Sequence, residues 1–171
     1  MVIVHSESVK SNFEGTIIDI ETIGDFSNYP DSRKYQNITP VILGYIDKNG
    51  WKIHCAENNN SIKEIKYIIT ELVPSLERPF YAFNCDFEKG VFFQSCKLQI
   101  DFRELQERKF ESKKAAVSSL KLENYNDPFN DHGKKCKISW ENGNTEDAIK
   151  HNRSCLLKER DILLKRGYRK T

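Results

Sequence analysis

Two carboxylates, Asp19 and Glu21, stand two positions apart inside the run Ile17-Ile18-Asp19-Ile20-Glu21. In an extended chain alternate side chains share a face, so both acids point one way while Ile18 and Ile20 point the other. Like charges held that close repel, and a divalent cation relieves the repulsion, because carboxylate oxygens are its expected hard ligands. A second acidic group lies in Asn84-Cys85-Asp86-Phe87-Glu88, where an apolar stretch hands over to a helical pattern. Either Asp86 or Glu88 could supply a third metal oxygen. A third group is His151, Cys155 and Glu159, spaced four apart and therefore on one helix face. A histidine there could act as a general base near neutral pH. Each group also has a plainer reading: strand-end acids meeting solvent, acids favoured by a helix's first turn, and a half-buried polar histidine.

The elements that must position these groups follow from periodicity and turn signals. Residues 1–14 read as an arm or edge strand. Thr16 to Glu21 is a β-branched run between Gly15 and Gly24, the pattern of a buried central strand. Val41 to Asp47 and Trp51 to Ala56 form two more strands around Lys48-Asn49-Gly50, an Asn-Gly hairpin signal. Ser61 and Glu64 make a capping box ahead of Ile62, Ile65, Ile68, Ile69 and Leu72, which predict a helix to Val73. Pro79 to Phe83 is a fourth strand, Asp86 to Cys96 a helix and Leu98 to Phe102 a fifth strand. Ser112 opens a helix, Glu123 to Gly133 is a loop, and Lys137 to Trp140 is a short extended piece. Thr145 caps a final helix that closes at Gly167. The order predicts an α/β fold with a mixed five-stranded sheet flanked by helices.

The chain has 171 residues, enough for one domain at roughly 100 to 200 residues per domain. Its 38% hydrophobic and 11% aromatic content excludes disorder as the expectation, since that much apolar surface can offset the ordering entropy. Apolar runs are short, far below the ~18 residues of a transmembrane helix, and the start lacks a signal-peptide pattern. A soluble chain without membrane association is expected. The five cysteines are odd in number and irregularly spaced, which points to a reducing, cytoplasmic setting. His132 and Cys136 are the nearest approach to a zinc spacing and lack a second ligand pair, so they read as unrelated side chains. Residues 134 to 171 hold 11 basic and 5 acidic residues, while the whole chain carries +2. The C-terminal part could therefore face a polyanion while the rest concentrates carboxylates.

Asp19-Ile20-Glu21-Thr22-Ile23-Gly24 resembles the first motif of the DEDD (DnaQ-like) 3′ to 5′ exonucleases, DxET followed by a small residue and glycine. Asn84-Cys85-Asp86-Phe87-Glu88 resembles their second motif, N-x-x-F-D, in a register that puts Glu88 at the acidic position. His151-Asn152-Arg153-Ser154-Cys155 is similar to the Tyr-Asn-Arg-x-Asp form of their third motif, with Cys155 where the fourth carboxylate falls. The resemblance runs from about Thr16 to Leu164.

It implies a single ribonuclease H-like domain and metal-assisted phosphodiester hydrolysis on single-stranded or frayed DNA or RNA. Two Mg²⁺ or Mn²⁺ ions belong to that chemistry, with one ion possible here. In this reading Asp19 bridges the metals, Glu21 and Glu88 complete their ligands, and His151 orients or deprotonates the water. Thr22, Asn84, Lys134, Lys135, Arg153 and Lys158 are the candidates for nucleic-acid contacts. The cysteine at the fourth position leaves three outcomes open: one tightly held ion or Mn²⁺, a nearby acid such as Asp147 or Glu159 reaching in, or a module that binds nucleic acid or protein without cutting it.

Overall fold

Ile17, Ile18 and Ile20 are all but inaccessible, which places their strand at the centre of the molecule. The computed structural model describes residues 1–167, so Arg169 and Lys170 of the basic C-terminal stretch lie outside it. It contains β1 (Val2–Ser8), β2 (Thr16–Ile23), β3 (Thr39–Asp47), β4 (Gly50–Ala56), α1 (Ile62–Leu72), β5 (Phe80–Ala82) and α2 (Cys85–Cys96). β6 (Arg103–Glu104), α3 (Lys113–Ser119), α4 (Gly133–Glu141) and α5 (Thr145–Arg166) complete it. The strands form one mixed sheet in the order β1-β4-β3-β2-β5-β6. β1 to β4 pair antiparallel, whereas β5 and β6 join parallel beyond β2. Helix α1 packs on β3 and β4, and α5 packs on β2, β3 and β4. The buried apolar side chains make one continuous cluster.

The sheet has six strands, not the five expected, because the N-terminal arm pairs with β4 from Val2↔Ala56 to Ser8↔Gly50. Leu98 to Phe102 is not a strand. β5 is three residues long, and its register partners on that side are Arg103 and Glu104; Ile100 and Phe102 are buried without joining the ladder. Lys137 to Trp140 is helical, because Cys136 and Trp140 are one turn apart and both buried, and the Trp140 indole N–H donates to Ala56 O at 2.7 Å. The capping box does not form: Ser61 Oγ accepts instead from the Met1 amino group at 2.6 Å. Asn144, not Thr145, caps α5.

One close approach decides how the longest helix meets the sheet. Asp19 on β2 is in register with Gly44 on β3, and Asn152 of α5 lies directly over that glycine. A Cβ at position 44 would stand 1.9 Å from Asn152 Oδ1. Glycine there lets α5 seat against the acidic face of β2. Gly44→Ala is expected to lower stability by about 1–3 kcal/mol, the usual cost of overpacking. A fall in the urea midpoint at constant m-value checks it.

Candidate metal centre

Alternation along β2 turns Asp19 and Glu21 toward α5, where Asn152 ties them together. Its Nδ2 donates to Asp19 O and Oδ2 at 3.2 and 3.1 Å and to Glu21 Oε1 at 3.1 Å. Asn84, in a left-handed conformation with φ 71°, turns the chain from β5 into α2 and brings Glu88 into the interior, 2% exposed. Asp86, two residues earlier, instead lines a separate cleft of about 680 Å³ with Tyr35, Lys89 and Phe93. Of the two acids offered by the second motif, Glu88 is the one that joins the carboxylates. The fourth carboxyl is Glu159, one turn beyond Cys155 and wholly buried. Its Oε1 accepts from Phe83 N at 3.2 Å. Asp147, the other acid within reach by sequence, is spent on the start of α5, where its N–H and carboxylate bond Asn144.

A lysine that no motif marks completes the group. Lys113 Nζ, from the first turn of α3, lies 3.5 Å from both Asp19 Oδ1 and Glu159 Oε2. Burial opposes its charge, yet Asp19, Glu159 and Glu21 outweigh burial and hold its pKa well above the usual lysine range. The carboxyls respond in the opposite sense. Burial, followed by repulsion from Asp19 and Glu159, pushes Glu88 far up, and burial with Asp19 does the same to Glu159. Glu21 rises to about 7, mainly by burial. Glu88 Oε2 is buried with no hydrogen-bond partner among the described residues. An inaccessible, unpartnered carboxylate oxygen among three other carboxyls fits a hard divalent cation.

His151 stands beside this group. Its Nδ1 donates to Asp127 Oδ1 at 2.8 Å, and its Nε2 is 3.5 Å from Cys155 Sγ and 3.9 Å from Glu21 Oε1. Burial works against its charge, but Cys155, Glu21 and Asp127 favour it and raise its pKa to about 12. Cys155 is buried, with its thiol pKa raised by that burial.

The expected nucleic-acid contacts separate. Thr22 sits at a bulge at the end of β2, partly exposed, and Asn84 is exposed at the start of α2. Lys134 and Lys135 stand exposed on the first turn of α4. Arg153 is turned toward β1, 3.8 Å from Glu7, with its guanidinium over the Trp51 ring. Lys158 is not a phosphate contact. Its ammonium is fully buried, 2.7 Å from Asp131 Oδ1, 3.1 Å from Asn124 Oδ1 and 3.3 Å from Asp127 Oδ2, and it anchors the 120–132 loop on α5.

Removing that ammonium takes a buried counter-charge from Asp127 and Asp131. Lys158→Met is expected to cost roughly 3–5 kcal/mol, as for other broken buried pairs, with a drop in the urea midpoint as the measure. A pH dependence follows from Glu21. Its folded pKa lies above the unfolded value, so the stability it contributes is complete below about pH 4.5 and is lost as pH rises through about 7. Glu21→Gln is therefore expected to be more stable than the parent at pH 8, by at most about 3 kcal/mol. The gap should close toward pH 5 in metal-free urea titrations.

Against this geometry, no family profile matches the chain, and neither a curated protein nor a solved structure matches it significantly.

Proposed function

We propose that the chain is a divalent-metal-dependent nuclease with a ribonuclease H-like fold, hydrolysing phosphodiester bonds of single-stranded or frayed DNA or RNA from the 3′ end. The observation that carries this reading is a chain of buried carboxyls from β2, α2 and α5: Asp19 and Glu21 share the Asn152 amide, Asp19 and Glu159 share the Lys113 ammonium, and Glu88 is buried beside Asp19 and Glu159. The resemblance of three ordered motifs supports it, as does the succession of elements from β2 to α5. Glu159 supplies a fourth carboxyl to the cluster, although Cys155 stands at the motif position.

Asp19, Glu21, Glu88 and Glu159 would hold Mg²⁺ or Mn²⁺. Such ions polarise a phosphodiester and yield a hydroxide nucleophile near neutral pH. The chain's own contribution is positioning. Asn152 fixes the separation of Asp19 and Glu21, and Phe83 N–H fixes Glu159. His151, braced by Asp127 and 3.9 Å from Glu21, would orient or deprotonate the water there. Lys113 offers one positive charge within the cluster, suited to the anionic phosphate as it forms its transition state. Lys134 and Lys135, exposed on the first turn of α4, are the remaining lysine candidates for phosphate contacts.

The test is degradation of 5′-labelled single-stranded DNA and RNA with Mg²⁺ or Mn²⁺. A ladder shortening from the 3′ end is expected, falling at least about 100-fold in Asp19→Asn. Equal silence of parent and variant at high enzyme concentration would sink the reading and leave a binding module.

A further inference from the structure

A second set of donors lies next to the carboxylates and is of a different chemical kind. Glu21 Oε, Cys136 Sγ and His151 Nε2 all lie within 4.8 Å of one another. Cys155 Sγ is 3.5 Å from the same His151 nitrogen and within 4.8 Å of Glu21. These donors come from three elements: β2 carries Glu21, α4 carries Cys136, and α5 carries His151 and Cys155. Thiolate, imidazole and one carboxylate suit zinc, which takes about four such ligands at roughly 2.0–2.3 Å, whereas sulfur ligands do not suit magnesium.

The histidine is already posed as a ligand. Its Nδ1–H donates to Asp127 Oδ1 at 2.8 Å, and Asp127 is held in turn by the N–H groups of Phe129 and Asp131 and by buried Lys158. A carboxylate on one ring nitrogen fixes the tautomer and aims the other nitrogen at a metal. Here that other nitrogen points at Glu21 and Cys155. His151, Cys136 and Cys155 are each at most 3% exposed, while Glu21 is partly open, so an ion would arrive past Glu21. His151 Nε2 stands 3.5 Å from Cys155 Sγ, an ordinary distance for a hydrogen bond to sulfur, and 3.9 Å from the Glu21 oxygen, too long for one. Donors around zinc stand about 3.3–3.8 Å apart, so donors now within 4.8 Å of one another would draw together on binding.

We infer that Glu21, Cys136 and His151 form a three-donor zinc site contiguous with the carboxylate cluster and joined to it through Glu21, with the Cys155 thiol beside His151. Binding deprotonates the Cys136 thiol and His151 Nε2, releasing their protons to solvent as the metal takes their place. The inference does not require the nuclease reading; with zinc bound, His151 Nε2 is taken up by the metal and no longer serves a water.

The test is cobalt(II) titration of the full chain after chelator treatment. A thiolate-to-cobalt charge-transfer absorption at one equivalent is expected, displaced stoichiometrically by zinc. It should vanish in Cys136→Ser, and Asp127→Asn should weaken zinc binding by about 10–100-fold without altering a ligand. Asp19→Asn should retain the band while losing nuclease activity, so the two readings fail separately. If Cys136→Ser does not fold, X-ray absorption at the zinc edge of the parent chain replaces it, with sulfur expected near 2.3 Å and nitrogen near 2.0 Å. A cobalt spectrum without a thiolate band, or a zinc edge with oxygen neighbours alone, overturns the site.

Discussion

Charge crowded into the interior governs this molecule. Four carboxyl groups from three elements face one ammonium, that of Lys113, in surroundings from which water is largely excluded. Isolated ions in such a place are costly, and they neutralise or recruit a partner. The raised pKa values of Glu21, Glu88 and Glu159 express the first response, and the position of Lys113 expresses the second. A divalent cation would be a third, and Glu88 Oε2 has no hydrogen-bond partner among the described residues. The same tension is met at His151, whose Nδ1 rests on the Asp127 carboxylate.

Backbone packing makes the crowding possible. β2 can carry two acids on one face only because the other face is isoleucine and buried. Asn152 can bridge those acids only because Gly44, in register beside Asp19, leaves room for the helix. The 120–132 loop has little regular structure, yet it is pinned through Asp127 to His151 and Lys158 and through Ser154 to Asn124. An apparently irregular segment thus has a definite task, holding the imidazole by its outer nitrogen.

Much of this was legible in the sequence where the signal was local. The period-two run of β2, the Asn-Gly hairpin, the helical spacing of α1 and the strand-to-helix turn at Asn84 each depend on neighbours within a few residues. The pairing of Asp19 with Glu21 was readable for the same reason. What escaped depended on distant partners. Nothing about Lys113, in a run with Lys114, indicates that a short helix will carry it to Asp19, 94 positions away. Lys158 looked like one more basic residue of a basic C-terminal stretch, and only the arrival of Asp127 and Asp131 buries it. Cys136 was judged by its spacing to His132, whereas its chemical neighbours come from β2 and α5. The extended reading of Lys137 to Trp140 failed because Cys136 and Trp140 bury the same helix face.

The first strand has a consequence of another kind. Most of β1's side chains are exposed, so it adds little to the core, but it covers the full length of β4. Without it, the backbone N–H and C=O groups of a strand carrying Trp51, Ile53 and Cys55 would lie open, a ready template for a strand from another molecule. At the opposite margin β6 is two residues long, too short to recruit anything. β1 takes over the edge that β4 would leave open, carrying it on a mostly exposed strand with His5 and Glu7 in place of Trp51, Ile53 and Cys55.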